Sequence, residues 1–183
     1  MPPAAASLRL EYAREPDVSE LLDRELRELI SGCFPQPHNA FFRERRYAHE
    51  LPLHRYMLRG DDARLLAHLA VHEKRVSIGE TELMVGGMAE VCVHESQRGQ
   101  GHARRLLGEA HRGLRERGIE FALLFGEPEL YVSSGYLPLL ASIRRFDPAA
   151  QSFLTAISRV ALCKPLTERA WPDGPIDLRG PMF

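Results

Sequence analysis

Cysteine is scarce in this sequence, and what there is does not pair. There are three, Cys33, Cys92 and Cys163, an odd number set far apart. That excludes a dense disulfide framework and the short spacing of a zinc knuckle or redox motif. They read as reduced thiols, with Cys92 and Cys163 in apolar runs where a small hydrophobe fits. Long apolar runs are also missing, since nothing approaches the ~20 residues needed to cross a bilayer. Nor is there an excess of one charge: 24 Lys and Arg stand against 25 Asp and Glu, a net charge of −1. Neither a nucleic acid nor a membrane surface is therefore an expected partner. The start, Met1 to Ser7, has neither the basic region nor the apolar stretch of a signal peptide, so a cytoplasmic location is expected. Low-complexity tracts, internal repeats and interdomain linkers are absent as well.

What remains is an ordinary globular composition, 44% hydrophobic and 27% charged over 183 residues. That length suits a single domain spanning 1–183. Folding would remove about 70% of the unfolded surface from water, enough for a sizeable core.

The spacing of apolar residues then orders the chain. Leu8 to Tyr12 alternates as a first strand. Pro16-Asp17 opens an amphipathic helix with Val18, Leu21, Leu22, Leu26, Leu29 and Ile30 as its stripe, closed by Gly32. Residues 33–52 read as a loop, a short helix at about 41–50 and a break at Pro52. Strands follow at His54 to Arg59 and at Arg64 to Arg75, where Leu65, Ala67, Leu69 and Val71 face one way and Leu66, His68, Ala70 and His72 the other. Ser77 to Glu80 reads as a hairpin turn, and Leu83 to Val93 returns with a bulge expected at Gly86-Gly87. Ala103, Leu106, Leu107, Ala110 and Leu114 take the helical period, with Gly118 as the stop. Ile119 to Phe125 is apolar throughout, as in a central strand covered on both faces. Glu127-Pro128 starts a short helix ending before Gly135, and Tyr136 to Phe146 and Ser158 to Lys164 supply two more strands. The order is an antiparallel first half and then a β-α-β crossover at 83–125.

One loop has the makings of an anion cradle. Val93 to Ala103 ends a strand and opens a helix, whose first turn leaves N–H groups unpaired under a partial positive charge. Gly99 and Gly101 let the backbone approach a ligand closely, and Arg98 and Arg104 add charge at the rim. A plain glycine-bearing turn is the simplest account. A dinucleotide fold wants a third glycine where Arg104 stands and an acid ending the next strand, which Glu120 instead begins. No Walker lysine follows, which excludes a P-loop nucleotidase.

Val93-His94 followed by Arg98-Gly99-Gln100-Gly101-His102-Ala103 resembles motif A of the GNAT superfamily of N-acetyltransferases, Arg/Gln-x-x-Gly-x-Gly/Ala. Glu95 stands where that family has proline. Glu127 to Tyr136 is similar to the family's Tyr-x-x-x-Gly-Phe segment, with Tyr136 for phenylalanine. The resemblance covers residues 7–165, is sharpest at 83–137, and leaves 166–183 as a C-terminal extension. Trp171 to Pro181, with Gly79 to Leu83, looks more narrowly like the nodulation acyltransferase branch, which moves a fatty acyl group to a sugar amine. Aminoglycoside 2′-N-acetyltransferases are more distantly similar around motif A.

The resemblance implies an α/β (α+β) fold: a mixed, mostly antiparallel sheet of six to seven strands, a central β-α-β crossover, and helices on both faces. It implies acyl transfer from acetyl-CoA, as co-substrate, to a primary amine of a small molecule or peptide, with a homodimer left open. The alternatives are a CoA-binding or sensing module without catalysis and, third, a nucleotide-dependent oxidoreductase. The family's CoA contacts carry over to Arg98, Gly99, Gln100, Gly101, His102, Ala103 and Arg104 at the pyrophosphate. Val91, Cys92 and Val93 would lie along the pantetheine arm, pairing like an added strand. A lysine-like amine of pKa ~10.4 is neutral in only about one molecule in a few thousand at neutral pH, so a base helps, and Glu90 is the candidate. Tyr131 occupies the position of the acid that protonates the leaving thiolate in many family members. No metal is expected, because His68 and His72 lack a third ligand and His49-Glu50 with His54 has the wrong spacing for a metalloprotease. Phe34, Phe41, Phe42 and Tyr47 fall where the family places the acceptor loop, either lining a pocket or packing the core.

Overall fold

The computed structural model describes residues 8–183; residues 1–7, and the signal-peptide reading made on them, lie outside it. Strand β1 (Arg9–Arg14) leads through a 3-10 turn at Glu15–Asp17 into α1 (Glu20–Cys33). Pro16 sits in that turn, so the helix starts later than its pattern predicts. Ser19 is the cap, its Oγ accepting from the Leu22 N–H at 3.2 Å and satisfying an otherwise orphaned donor. Helical phase sets Leu21 off the buried stripe, 60% exposed, while Leu26, Leu29 and Ile30 are buried.

The helix expected at about 41–50 is absent. A 3-10 segment, Pro37–Arg43, takes its place and buries Phe42, and residues 44–53 run without helix or strand. Pro37 opens the turn early, and the Ala48 N–H is committed to the Glu90 carboxylate at 3.1 Å rather than to a helical carbonyl.

Strands β2 (His54–Arg59), β3 (Leu65–Ile78) and β4 (Thr81–Val93) form an antiparallel meander. Then come α2 (His102–Glu116), β5 (Phe121–Phe125) parallel to β4, and α3 (Pro128–Tyr131) with a 3-10 turn at Val132–Ser134. Strands β6 (Leu137–Pro138), β7 (Ser142–Asp147), β8 (Ser152–Ile157), β9 (Ala161–Pro165) and β10 (Ile176–Asp177) complete the chain. The sheet runs β6-β9-β5-β4-β3-β10-β7-β8, with β2 and then β1 branching from β3. Among the described residues it therefore has ten strands rather than six or seven. The strand expected at Tyr136 to Phe146 breaks at 139–141 into β6 and β7, β8 pairs with β7, and the C-terminal extension adds β10. Strand β3 is long enough to hold β2 along its first half and β10 along its last two residues.

Alternation assigns the two faces. Tyr56 and Leu58 of β2, with Ala122 and Leu124 of β5, pack under Leu106, Leu107, Ala110 and Leu114 of α2. Met57 faces the other way, toward Leu26, Leu29 and Ile30 of α1, and Phe121 and Leu123 face the C-terminal extension, where the Trp171 ring meets Phe121 edge-on at 5.3 Å. Each fully buried leucine here contributes about 1.5–3 kcal/mol.

Two features of β4 position the site. Its bulge is not at Gly86-Gly87, which keep regular register with Glu73 and His72. Those glycines make room instead: a Cβ on Gly86 would overlap Leu114, and one on Gly87 would lie 2.7 Å from the Phe183 ring. The bulge lies further on. His68 pairs with Cys92 and Ala70 with Ala89, so Glu90 and Val91 together stand opposite Leu69, and Glu90 takes φ +43°. The second feature is divergence, because β4 and β5 are paired only between Val85–Met88 and Phe121–Leu124. Beyond Met88 that edge of β4 has no strand beside it among the described residues.

Candidate active site

The loop after β4 is built as an open cradle. A 3-10 turn at Glu95–Gln97 leads through Gly99 and Gly101, at φ +75° and +79°, into α2. Both glycines are in the left-handed region, where a side chain is costly, and nothing lies within 4 Å of where a Cβ would stand on either. Gly101 is the helix N-cap and has no side chain to satisfy the first amides of α2. Those amides are available to an anion.

Between this loop, the free edge of β4 and α3 lies a groove of about 350 Å³. Val91, Cys92, Val93, Arg98, Gly99, Gly101, His102, Ala103 and Tyr131 all line it, so most of the expected contacts come together. Gln100 and Arg104 do not; they border a concavity on the outer side of the same loop with Gly99, Gly101 and Arg105. Arg98 is exposed at the edge of the groove, where its Nε donates to the Val93 carbonyl at 3.2 Å. The His102 Nε2 is buried without a partner. An orphaned polar atom beside two open glycines and free helix amides is what a site for a phosphorylated polar ligand requires, so the residues fit CoA. Among the described residues no cluster of three or more His, Cys, Asp or Glu is arranged to hold a metal.

Tyr131 stands at the far wall. Its ring packs edge-on against Tyr136 at 6.1 Å and over Gly126, where a Cβ would come within 2.8 Å of the ring. Burial, then the neighbouring Cys92 and Glu127, raise the hydroxyl above its ordinary pKa and hold it protonated. The Tyr136 hydroxyl is engaged elsewhere, with His111 Nε2 at 2.8 Å.

Glu90 does not line the groove wall. The bulge turns its carboxylate toward residues 44–53, where Oε1 accepts from the Ala48 N–H and Oε2 is buried without a partner. Burial pushes this carboxyl up to about 7, against the pull of the nearby Arg55 charge and the Ala48 hydrogen bond.

Behind the bulge is a network that sequence reasoning missed. Arg55 Nε donates to Glu15 Oε2 at 2.6 Å, and Arg46 reaches Glu15 Oε1. Arg55 Nη1 lies 3.0 Å from His68 Nε2, and His68 Nδ1 lies 3.1 Å from the Glu90 carbonyl. Guanidinium only donates, so His68 must accept at Nε2 and donate from Nδ1 to that carbonyl. Arg55 and His68 are fully buried. The sequence signal was there in Arg55, a charge just ahead of the apolar run Tyr56-Met57-Leu58 of a strand, which has to find a partner if it is buried. Cys33, the last residue of α1, is a groove residue that the sequence did not single out, and Phe34, expected either to line a pocket or to pack the core, follows it. Phe34 thus both lines the groove and packs on Phe42, whose neighbour Phe41 is 4.5 Å away, while Tyr47 stacks under Arg45.

The cradle has a direct test. Gly101→Val places a β-branched residue at φ +79° at the helix mouth. CoA affinity should fall at least about tenfold while circular dichroism stays native; unchanged affinity would mean that the cradle lies elsewhere.

A family model described as acetyltransferase (GNAT) domain matches residues 18–139. No curated protein matches the sequence significantly. Among solved structures, the GNAT family N-acetyltransferase YhbS from Escherichia coli, in complex with CoA, is similar with a TM-score of 0.66 at 22% identity, over 96% of this chain and 91% of that one. A GNAT family acetyltransferase from Brucella melitensis, in complex with acetyl-CoA, has a TM-score of 0.58 at 18% identity, over 92% and 94%. Eis1 from Mycobacterium abscessus has a TM-score of 0.60 at 13% identity, but this chain covers only 33% of it. These likenesses speak to the fold, and the family match spans most of the chain. The chain belongs to the GNAT acetyltransferase family.

Proposed function

We propose that the protein moves an acetyl group from acetyl-CoA to a primary amine of a small molecule or peptide. One observation carries the reading: among the described residues the edge of β4 beyond Met88 has no strand beside it, and it opens on a groove that runs from the glycine loop and the start of α2 to Tyr131. A ligand with a pyrophosphate at one end and an extended amide-bearing arm fits such a groove, its arm taking the place of a strand. The reading treats residues 8–183 as one domain, since the C-terminal extension contributes β10 to the same sheet.

Within it, the loop holds the pyrophosphate through main-chain N–H groups, and the wall at Val91 to Val93 orients the pantetheine arm. Acetyl-CoA supplies the activated acyl group. Glu90 takes a proton from the acceptor's ammonium, directly or through water, so that the neutral amine attacks the thioester carbonyl. Tyr131 gives its own proton to the departing sulfur, and the second proton lost from nitrogen restores the phenol through water. The products are an amide and free CoA. Ala48, held to Glu90, puts residues 44–53 beside the base, where an acceptor would arrive.

The binding half is tested by thermal unfolding. A ligand that binds only the folded state raises the melting temperature by mass action, so CoA should give a dose-dependent upward shift. No shift at millimolar CoA would remove the assignment. Acetyl-CoA consumption with a panel of amines then separates an enzyme from a module that only binds CoA.

A further inference from the structure

Past β10 the C-terminal extension crosses the face of the sheet opposite α2. Polar contacts hold it there. The Phe146 N–H donates to the Gly180 carbonyl at 2.8 Å, and Lys74 Nζ donates to the Pro181 carbonyl at 2.7 Å and to Glu50 Oε2 at 2.8 Å. Phe183 is thereby laid, half-buried, across three strands. Its ring lies over Gly87 of β4, stands 5.4 Å from the Phe125 ring of β5, and stacks on His72 of β3 at 5.8 Å. Nothing in the transfer chemistry uses this ring.

Its place is the closed end of the slot between β4 and β5. The last pairs of those strands are Gly87 with Leu123 and Met88 with Leu124, and Tyr131 packs over Gly126, two residues past Leu124. The glycine loop follows the far end of β4, so a CoA arm anchored there runs back along the strand toward Met88. Its sulfur lies at Tyr131 and its acyl group points at the last pair. Two strand residues span about 7 Å. Carbon–carbon contact at the closed end takes up about half of that, which leaves the reach of an acetyl group beyond the sulfur.

We propose that Phe183 is the stop that sets acyl-chain length: its ring closes the blind end of the slot on the face away from α2 and restricts the donor to a short acyl-CoA. The proposal rests on the reading that the groove binds CoA with its sulfur at Tyr131, and it specifies which acyl groups that groove accepts. A longer chain has two ways to go. Toward α2 it meets Met88 and Leu124, both buried in the core under that helix. Toward the other face it meets one aromatic ring, carried by the extension and not by either strand of the slot. Trimming that ring opens a path bounded by Gly87, His72 and Phe125, and Gly87 has no side chain to refill it.

The experiment needs no acceptor amine. Calorimetric titration of the full chain compares CoA, acetyl-CoA, butanoyl-CoA and hexanoyl-CoA. Wild type should bind hexanoyl-CoA at least about tenfold more weakly than acetyl-CoA. Phe183→Ala, native by circular dichroism, should improve hexanoyl-CoA relative to acetyl-CoA by at least about tenfold, because the added methylenes then leave water. Phe183→Leu, which keeps an apolar side chain should the alanine variant fail to fold, should improve butanoyl-CoA several-fold. Trp171→Leu loosens the same extension where it meets Phe121, away from the slot, and should leave the ratios unchanged. Affinity for CoA itself, which has no acyl group, should match wild type in every variant. Equal wild-type affinity for the short and long donors, unchanged ratios in the folded Phe183 variants, or the same shift from Trp171→Leu would overturn the proposal. Absence of CoA binding to wild type would instead overturn the functional reading on which it stands.

Discussion

Tyr131→Phe should lower turnover about a hundredfold to ten-thousandfold while acetyl-CoA affinity stays within about threefold. The ring keeps its contacts with Tyr136 and Gly126, so the groove wall is preserved and only the hydroxyl is lost. A group that acts on the departing sulfur is needed in the transition state and not in the ground state, which is why the effect belongs in kcat. Burial raises the hydroxyl above its ordinary pKa, which keeps it protonated and makes it a weaker acid. Initial rates and equilibrium binding on the purified variant decide the matter. Turnover within a few-fold of wild type would make Tyr131 a packing residue, and joint collapse of turnover and affinity would make its hydroxyl structural.

The second large effect is expected at Glu90. Glu90→Gln keeps the shape and the acceptor for the Ala48 N–H but cannot take a proton, and should lower kcat/KM by about a hundredfold or more. The pH profile is the sharper readout. A base must be ionised to act, so wild-type kcat/KM should rise with pH through about 7, the position to which burial brings this carboxyl, and that limb should vanish in the variant. Stability gives an independent check with a definite sign. The folded-state pKa is raised above the ordinary carboxylate value, so the protonated group suits the native state and its ionisation opposes folding. The advantage of the protonated form is complete below the unfolded value of 4.5 and is lost as pH rises through about 7. Wild type should therefore lose stability relative to Glu90→Gln over that interval, by at most about 3 kcal/mol. A difference independent of pH would mean that the carboxyl is not buried as the bulge places it.

Much of this site could be read from residues in order. The glycines at 99 and 101, the apolar period of α2 and the short segment ending at Gly135 are local signals, and local signals survive in a sequence. The same holds for the strand at Phe121 to Phe125, whose unbroken apolar run can only be buried. What could not be read depended on partners far along the chain. Gly86-Gly87 looked like a bulge because glycine pairs often make one, yet the reason for them is the close approach of Leu114 and Phe183. The real bulge is at Glu90, a residue with no preference for positive φ, and it exists because a distant imidazole holds its carbonyl. The helix expected near 41–50 failed for a related reason, since its apolar residues pack from a 3-10 segment and one of its amides is drawn to Glu90. The tail after Pro165 could be noticed, but nothing in it announced a strand between β3 and β7.

The clamp on that bulge also bears on how the molecule comes into being. Its members are far apart in the chain: Glu15 and Arg55 are 40 residues apart, Arg55 and His68 13, and His68 and Glu90 22. Each link closes a loop whose entropy is lost before the contact returns anything, so such links tend to form late on a folding pathway. The strain of Glu90 in the left-handed region, of order 1–3 kcal/mol, is sustained only once they exist. A nascent or partly folded chain can thus possess helix α2 and its glycine loop while Glu90, the base of the proposed mechanism, is still unplaced. Turnover then reports that the N-terminal half has finished folding, whereas capture of an anion at the loop does not.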